Sequence, residues 1–163
     1  MFVYSVKASS IRFFGIITVS VLALISIAAL IPTYEPVTAV SSVNGETVKY
    51  DKIKTNEDRI AFLAQFGWEV KSEPEEETTV TIPAEFDKVF LGYNELQKRQ
   101  GLNLSKYRRK EVTRCTYAVT NYPGYDGTVY ANLLIYRNKI IGGDICSADS
   151  SGFIHGFSPD VKY

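Results

Sequence analysis

The chain has 163 residues, 45% of them apolar and 22% charged, with 18 Lys and Arg against 18 Asp and Glu. Glycine, cysteine and charged residues lie within ordinary globular limits and aromatics are plentiful, which excludes a collagen, a disulfide-dense mini-protein, a coiled coil and a wholly disordered chain. A formal charge of zero gives no global case for nucleic-acid binding.

In chain order the first feature is residues 13–31, FFGIITVSVLALISIAALI, which carry no charge. A bilayer core takes about 20 such residues as a helix, and Pro32 stops the run. Lys7 and Arg12 precede it, and no cation follows until Lys49, so the positive-inside rule puts the N-terminus in the cytoplasm and the rest outside. A secretory signal peptide is the alternative, with a shorter apolar part of about 7–15 residues and a small-x-small site close behind. Val37-Thr38-Ala39 lies well past the end of the run. The expected order is therefore a cytoplasmic N-terminus (1–12), a transmembrane anchor (13–31), an extracytoplasmic Pro/Ser/Thr-rich tether (32–45), a folded domain (46–158) and a C-terminal tail (159–163). On the alternative reading the protein is secreted after signal cleavage.

Within the domain, Thr55 followed by Asp58 predicts a capping box, and Ile60, Leu63 and Ala64 share one helical face, giving a helix over 56–66 capped by Gly67. Trp68 and Val70 alternate with charged residues, Thr78, Val80 and Ile82 alternate again, and the acidic SEPEEE between them predicts a β-hairpin. Pro83 predicts the start of a second helix, with Phe86, Val89, Phe90, Tyr93 and Leu96 as its apolar stripe up to Gly101. Residues 111–121, 128–137 and 139–146 are rich in Val, Ile, Thr and Tyr and predict a three-stranded antiparallel meander. The fold class is α+β: an N-terminal transmembrane helix, then a small domain of two helices, a hairpin and a meander, with both helices on one face of the sheet.

Cys115 and Cys146 would face an oxidising compartment, which suggests a disulfide. Register argues for two separate, partly buried thiols instead. With Tyr136 paired to Lys139 and Asn121 to Thr128, Cys146 lies opposite Val129 and Cys115 opposite Leu134, about 16 Å apart along the sheet. Asp144, Cys146 and His155 are the candidate catalytic set, since a nucleophilic thiol needs a base and the base an orienting carboxylate. Cys115, Cys146 and His155 contain no close-spaced ligand pair, so no metal is expected. Gly142-Gly143 lacks phosphate-loop spacing and reads as close packing or a bulge. Arg108 and Arg109 sit in a basic stretch between Lys98 and Arg114, and Tyr122 and Tyr125 in a Pro/Gly loop; these four are the candidate binding residues, against the plainer reading of a solvated face and a packed turn.

The strings Phe66-Gly67-Trp68-Glu69-Val70, Ile82-Pro83, Tyr93-Asn94-Glu95-Leu96-Gln97 with Gly101, Asn121-Tyr122-Pro123, Ile140-Ile141-Gly142-Gly143-Asp144 and His155-Gly156-Phe157 resemble the bacterial domain of unknown function 4830 family over about residues 47–158. The resemblance implies a membrane-anchored extracytoplasmic module of a Gram-positive bacterium. It implies no reaction, cofactor or site residue. The leading expectation is a non-enzymatic binding or interaction module whose partners are membrane lipid, through residues 13–31, and a protein or envelope polymer, with no nucleic acid and no cofactor. The alternatives are a small thiol-dependent enzyme centred on Cys146 and His155, and a subunit whose transmembrane helix is the interface, through Ser20, Ala23 and Ala28.

Overall fold

The computed structural model describes residues 42–43, 46–149 and 151–159. The expected cytoplasmic segment 1–12, the anchor 13–31 and most of the tether and tail lie outside the described residues. Among the described residues no helix is long and apolar enough to cross a membrane.

The end of the expected tether and the start of the expected domain form a short antiparallel pair, β1 (Ser42–Val43) with β2 (Glu46–Thr47). Helix α1 follows at Asn56–Ala64, and its capping box forms as expected. Asp58 N–H donates to Thr55 Oγ1 at 3.3 Å, and Thr55 N–H donates back to Asp58 Oδ2 at 2.9 Å. The helix closes two residues earlier than expected, through a turn that ends at Gly67, whose φ of 85° suits glycine.

The expected hairpin is not formed. Val70 bridges Val119, and β3 (Glu76–Thr81) pairs with β4 (Glu111–Val119) from Glu76↔Thr116 to Thr81↔Glu111. Both segments therefore run in one direction along the same neighbour. The acidic residues between them make an excursion from that edge, where a hairpin would need a reversal. Local alternation identifies strand-forming segments but carries no information about which neighbour they pair with.

Helix α2 covers Lys88–Arg99, starting five residues after Pro83. Asp87 is its N-cap, accepting the Phe90 N–H at 2.7 Å, a stronger start than proline alone supplies. A 3-10 turn (Leu104–Tyr107) leads into β4, followed by β5 (Val129–Tyr136), β6 (Lys139–Ser147) and β7 (Ile154–His155). The sheet order is β3-β4-β5-β6-β7, antiparallel throughout, and contains the expected meander. Its β5–β6 ladder slips at Leu134/Ile135, with Ile135 pairing Ile140 and Leu134 pairing Gly142, so Ile141 is the extra residue of a bulge.

The helices cover opposite faces of the sheet, where one shared face was expected. Phe62, Leu63 and Phe66 near α1 pack with Cys115, Tyr117, Val129, Leu133, Ile145 and Phe157. Phe90 and Tyr93 of α2 join the second cluster, built on Ile82, Leu104, Val112, Leu134 and Ile141. The strands explain this directly. Both parities of β4 to β6 carry apolar side chains, and successive side chains point to opposite faces, so each face needs its own cover.

The stripe of α2 also departs from expectation. Val89 is 80% exposed, whereas Asn94 and Gln97 are buried. From Phe90 and Tyr93 the inward positions continue, at helical spacing, to Gln97 and Gln100. These amides grip the rim of β6: Gly143 N–H donates to Gln97 Oε1 at 2.8 Å and Gln100 Nε2 donates to Gly143 O at 3.0 Å. Gln100 Oε1 also accepts the Phe157 N–H at 2.7 Å. A Cβ at Gly143 would run into the Asn132 carbonyl oxygen and the Phe157 ring, so the Gly142-Gly143 pair is the close packing and bulge expected of it.

Candidate functional site

The second face is only half covered by apolar contacts. Val112, Leu134 and Ile141 sit in its apolar cluster, whereas the same parity further along the strands carries Thr116, Asn132, Asp144 and Cys146. Register makes Thr116, Asn132 and Asp144 direct neighbours across three strands. Thr116 Oγ1 donates to Asn132 Oδ1 at 2.8 Å, and Asn132 Nδ2 donates to Asp144 Oδ2 at 2.9 Å and to Cys146 Sγ at 3.3 Å. From α2, Tyr93 O–H donates to Asp144 Oδ1 at 2.7 Å. Above this network lies an open groove of about 560 Å³, lined by Arg114, Thr116, Tyr130, Asn132 and Cys146 with Glu75 and Glu76 at its rim. Arg114 Nη2 is tied to Glu76 Oε2 at 2.7 Å.

Asp144 is 4% exposed, and none of the four ion pairs among the described residues includes it. Burial pushes its carboxyl above the usual range, partly offset by the bonds from Asn132 and Tyr93. The same burial, with the carboxyl alongside, pushes Tyr93 well up. Burial and then Asp144 push the Cys146 thiol up to about 11. A thiol so placed is protonated at neutral pH and is a poor nucleophile.

Of the candidate catalytic set, the structure brings Asp144 and Cys146 together and separates His155 from them. His155 pairs with Ile145 in the β6–β7 ladder, so Cys146 and His155 project to opposite faces. His155 Nε2 lies 3.0 Å from Tyr122 O–H, and its Nδ1 lies 2.7 Å from Gly156 O. Around it Trp68 stacks on Tyr122 at 5.5 Å, Tyr122 on Phe153 at 4.7 Å, and Phe153 on His155 at 5.6 Å. Tyr125 meets Phe153 edge-on and bonds Asp149. Trp68 Nε1 donates to Phe157 O at 2.6 Å, fixing this end of the sheet.

The two pairs of candidate binding residues fall at opposite ends of β4, because Arg108 and Arg109 precede its first residue and Tyr122 and Tyr125 follow its last. Arg108 lies over the Phe86 ring at 4.8 Å, and Arg109, at φ 61°, donates its N–H to Ile82 O at 2.8 Å. Both are exposed.

The two cysteines are free, Cys115 fully buried and Cys146 half-buried. Their registers are each one residue from expectation: Cys115 faces Leu133 and Cys146 faces Tyr130, which puts them about 10 Å apart along the sheet. They also occupy opposite faces. Among the described residues no three His, Cys, Asp or Glu side chains gather in a way that could hold a metal.

Sequence reasoning named Asp144 and Cys146 but missed Tyr93, Thr116 and Asn132. The available signal was Asn132 itself, a lone amide between Ala131 and Leu133 in an otherwise apolar strand. No curated protein and no solved structure matches the chain. Residues 62–145 match the model of a family described as Domain of unknown function (DUF4830), a stretch from within α1 to the end of the Gly142-Gly143-Asp144 string. It includes Tyr93, Gln97, Gln100, Asn132 and Asp144, and leaves the His155 string outside. With just over half of its 163 residues in that match, the chain belongs to the DUF4830 family, a domain of unknown function.

Proposed function

We propose that this chain is a single-pass membrane protein of a Gram-positive bacterium, its N-terminus cytoplasmic and its α+β domain outside the membrane. There the domain works as a non-enzymatic module that binds a protein or an envelope polymer. The anchor rests on the charge-free residues 13–31, and the orientation on Lys7 and Arg12 before them. The bacterial setting rests on the family resemblance.

The observation that carries the binding reading is the open groove above a polar floor whose groups bond one another. Asp144, Asn132 and Thr116 are held in a chain of side-chain bonds, and the thiol beside them is raised and on the opposite face from His155. Such a floor is rigid and presents fixed polar groups, as recognition requires, while it lacks an activated nucleophile. Tyr130, Arg114 and Glu76 add an aromatic surface and both signs of charge at the rim.

The test has two arms. An engineered Ser42→Cys should react with a membrane-impermeant thiol label on intact cells, above the level of the parent chain; labelling that requires lysis overturns the orientation. A photo-reactive side chain at position 130 should capture one discrete partner in native membranes, and Arg114→Ala in the same chain should abolish that capture. Capture that is indifferent to Arg114 removes the groove as the binding surface.

A further inference from the structure

The two edges of the sheet are finished differently. The β6 edge is covered along its length. At its start Ile140 N–H donates to Tyr50 O at 2.8 Å, and Ile53 N–H donates to Asn138 O at 2.9 Å. In the middle Gln97 and Gln100 take both backbone groups of Gly143. Beyond that, Ile145 and Cys146 pair with β7, and Ser147 N–H donates to Phe153 O at 3.1 Å. At the other edge, among the described residues, β3 is the terminal strand and has a neighbour on one side only.

Which of its groups are left over follows from the ladder. Ile82 N–H donates to Lys110 O at 2.9 Å, and in an antiparallel pair alternate residues turn to the same side. Glu76, Thr78 and Val80 therefore direct their backbone groups to β4, while Glu77, Thr79 and Thr81 direct theirs away. Glu75 N–H donates to Thr116 O at 2.8 Å, opposite Glu76, so a bulge ends the regular ladder there. Glu77, Thr79 and Thr81 are all exposed.

We infer that this edge joins two copies of the chain, their β3 strands antiparallel about a two-fold axis at Thr79, into one continuous sheet. The sequence of β3 favours one register of this self-pairing. Centred on Thr79, the pairing sets Glu77 against Thr81 and Thr79 against itself, engaging all three outward residues of each strand, and places Glu76 opposite Ile82. No carboxylate of the strand meets another, and Glu77 is already held by Arg59 at 2.7 Å. Centring on Glu77 opposes two like charges. Centring on Thr78 loses a pair because Glu75 N–H is taken, and centring on Val80 sets Glu77 against Pro83, which has no N–H.

An isologous contact of this kind closes at two copies and protects an edge otherwise open to indiscriminate pairing. A six-residue ladder is small beside the roughly 1,200 Å² of a stable interface, so the dimer is weak in dilute solution and favoured where copies are concentrated. The contact goes beyond the binding reading and does not depend on it.

Disulfide trapping of the full-length chain tests the contact. Thr79→Cys puts two thiols on the axis with Cα atoms about 5.5 Å apart, within bonding reach. In Thr81→Cys, exposed on the same strand, the two thiols lie about 13 Å apart along the sheet. Mild oxidation should give Thr79→Cys a band at twice the chain mass, at least roughly tenfold above Thr81→Cys and the parent. Equal trapping at both positions, none at Thr79, or a product of another mass overturns the proposal. Thr79→Pro removes an outward N–H at no cost to the β3–β4 ladder, so it should fold and sediment as monomer at concentrations where the parent forms dimer. A Thr79→Pro chain that still dimerises likewise overturns it.

Discussion

Two helices of similar length are fastened to the sheet by different chemistry. Phe62 and Leu63 of α1, with Phe66 just after it, enter an apolar cluster in which Phe62 meets Phe157 edge-on at 5.1 Å. Helix α2 leaves Val89 and Leu91 in solvent and inserts Tyr93, Asn94 and Gln97, with Gln100 at its C-cap. Apolar contact is strong but tolerates sliding, whereas two amides that between them bond both backbone groups of one residue fix position and register. The molecule thus sets α1 by burial and α2 by direction, and the direction-setting side chains support the floor of the groove.

The largest expected loss is on the α1 side. Phe62→Ala should cost about 3–5 kcal/mol in urea unfolding, because a ring with three aromatic neighbours leaves a cavity. Gln100→Ala should cost less, about 2–3 kcal/mol, by leaving Gly143 O and Phe157 N–H without their partner. A cost near zero for Gln100→Ala would mean that burial alone positions α2 and would dissolve the contrast.

The contrast also explains what was legible from the residues alone. The capping box at Thr55 and Asp58 and the meander could be read because their signals are local: a side chain bonding a backbone three residues away, and alternation broken by turns. The partner of β3 could not, because pairing is settled by the whole sheet. The register of β6 was missed for a smaller reason, since the bulge residue Ile141 is apolar like its neighbours. Asp144 and Cys146 drew attention as chemistry-bearing residue types. Tyr93, Gln97 and Gln100 did not, because a stripe that turns from aromatic to amide along one helix face looks like a stripe that ends.

Asp144 permits a finer test, since an amide there keeps the Tyr93 bond at its oxygen and regains the Asn132 bond once the Asn132 amide turns over to accept from the new N–H. Its folded carboxyl titrates above the unfolded range, so the native state holds the proton more tightly and stability falls as pH rises from the unfolded value through the folded one. Glu77, held below its usual range by Arg59, acts oppositely: its contribution is present above the unfolded value and is lost as pH falls through the folded one. Asp144→Asn should match the parent in acid and exceed it in stability at neutral pH, leaving the Glu77 part of the profile unchanged. Parallel curves for the two chains would show that burial of this carboxyl is without cost.

The smallest effect decides whether α2 is held by its apolar or its polar side chains. Val89 belongs to the apolar stripe that the sequence predicts, and on that reading a charge there would be buried and cost several kcal/mol. In the structure it is 80% exposed in the first turn of α2, which holds no acidic residue. Glutamate is a better helix former than valine and its charge suits a helix N-terminus, so Val89→Glu should stabilise the domain by about 0.5 kcal/mol, fading in high salt. A salt-sensitive gain read as a rise in Tm places the helix as described, on Tyr93, Gln97 and Gln100. A loss of 2 kcal/mol or more would mean that α2 is turned so that Val89 joins Phe90 and Tyr93 inside, and that the clasp of Gln97 and Gln100 on Gly143 is not what sets the helix.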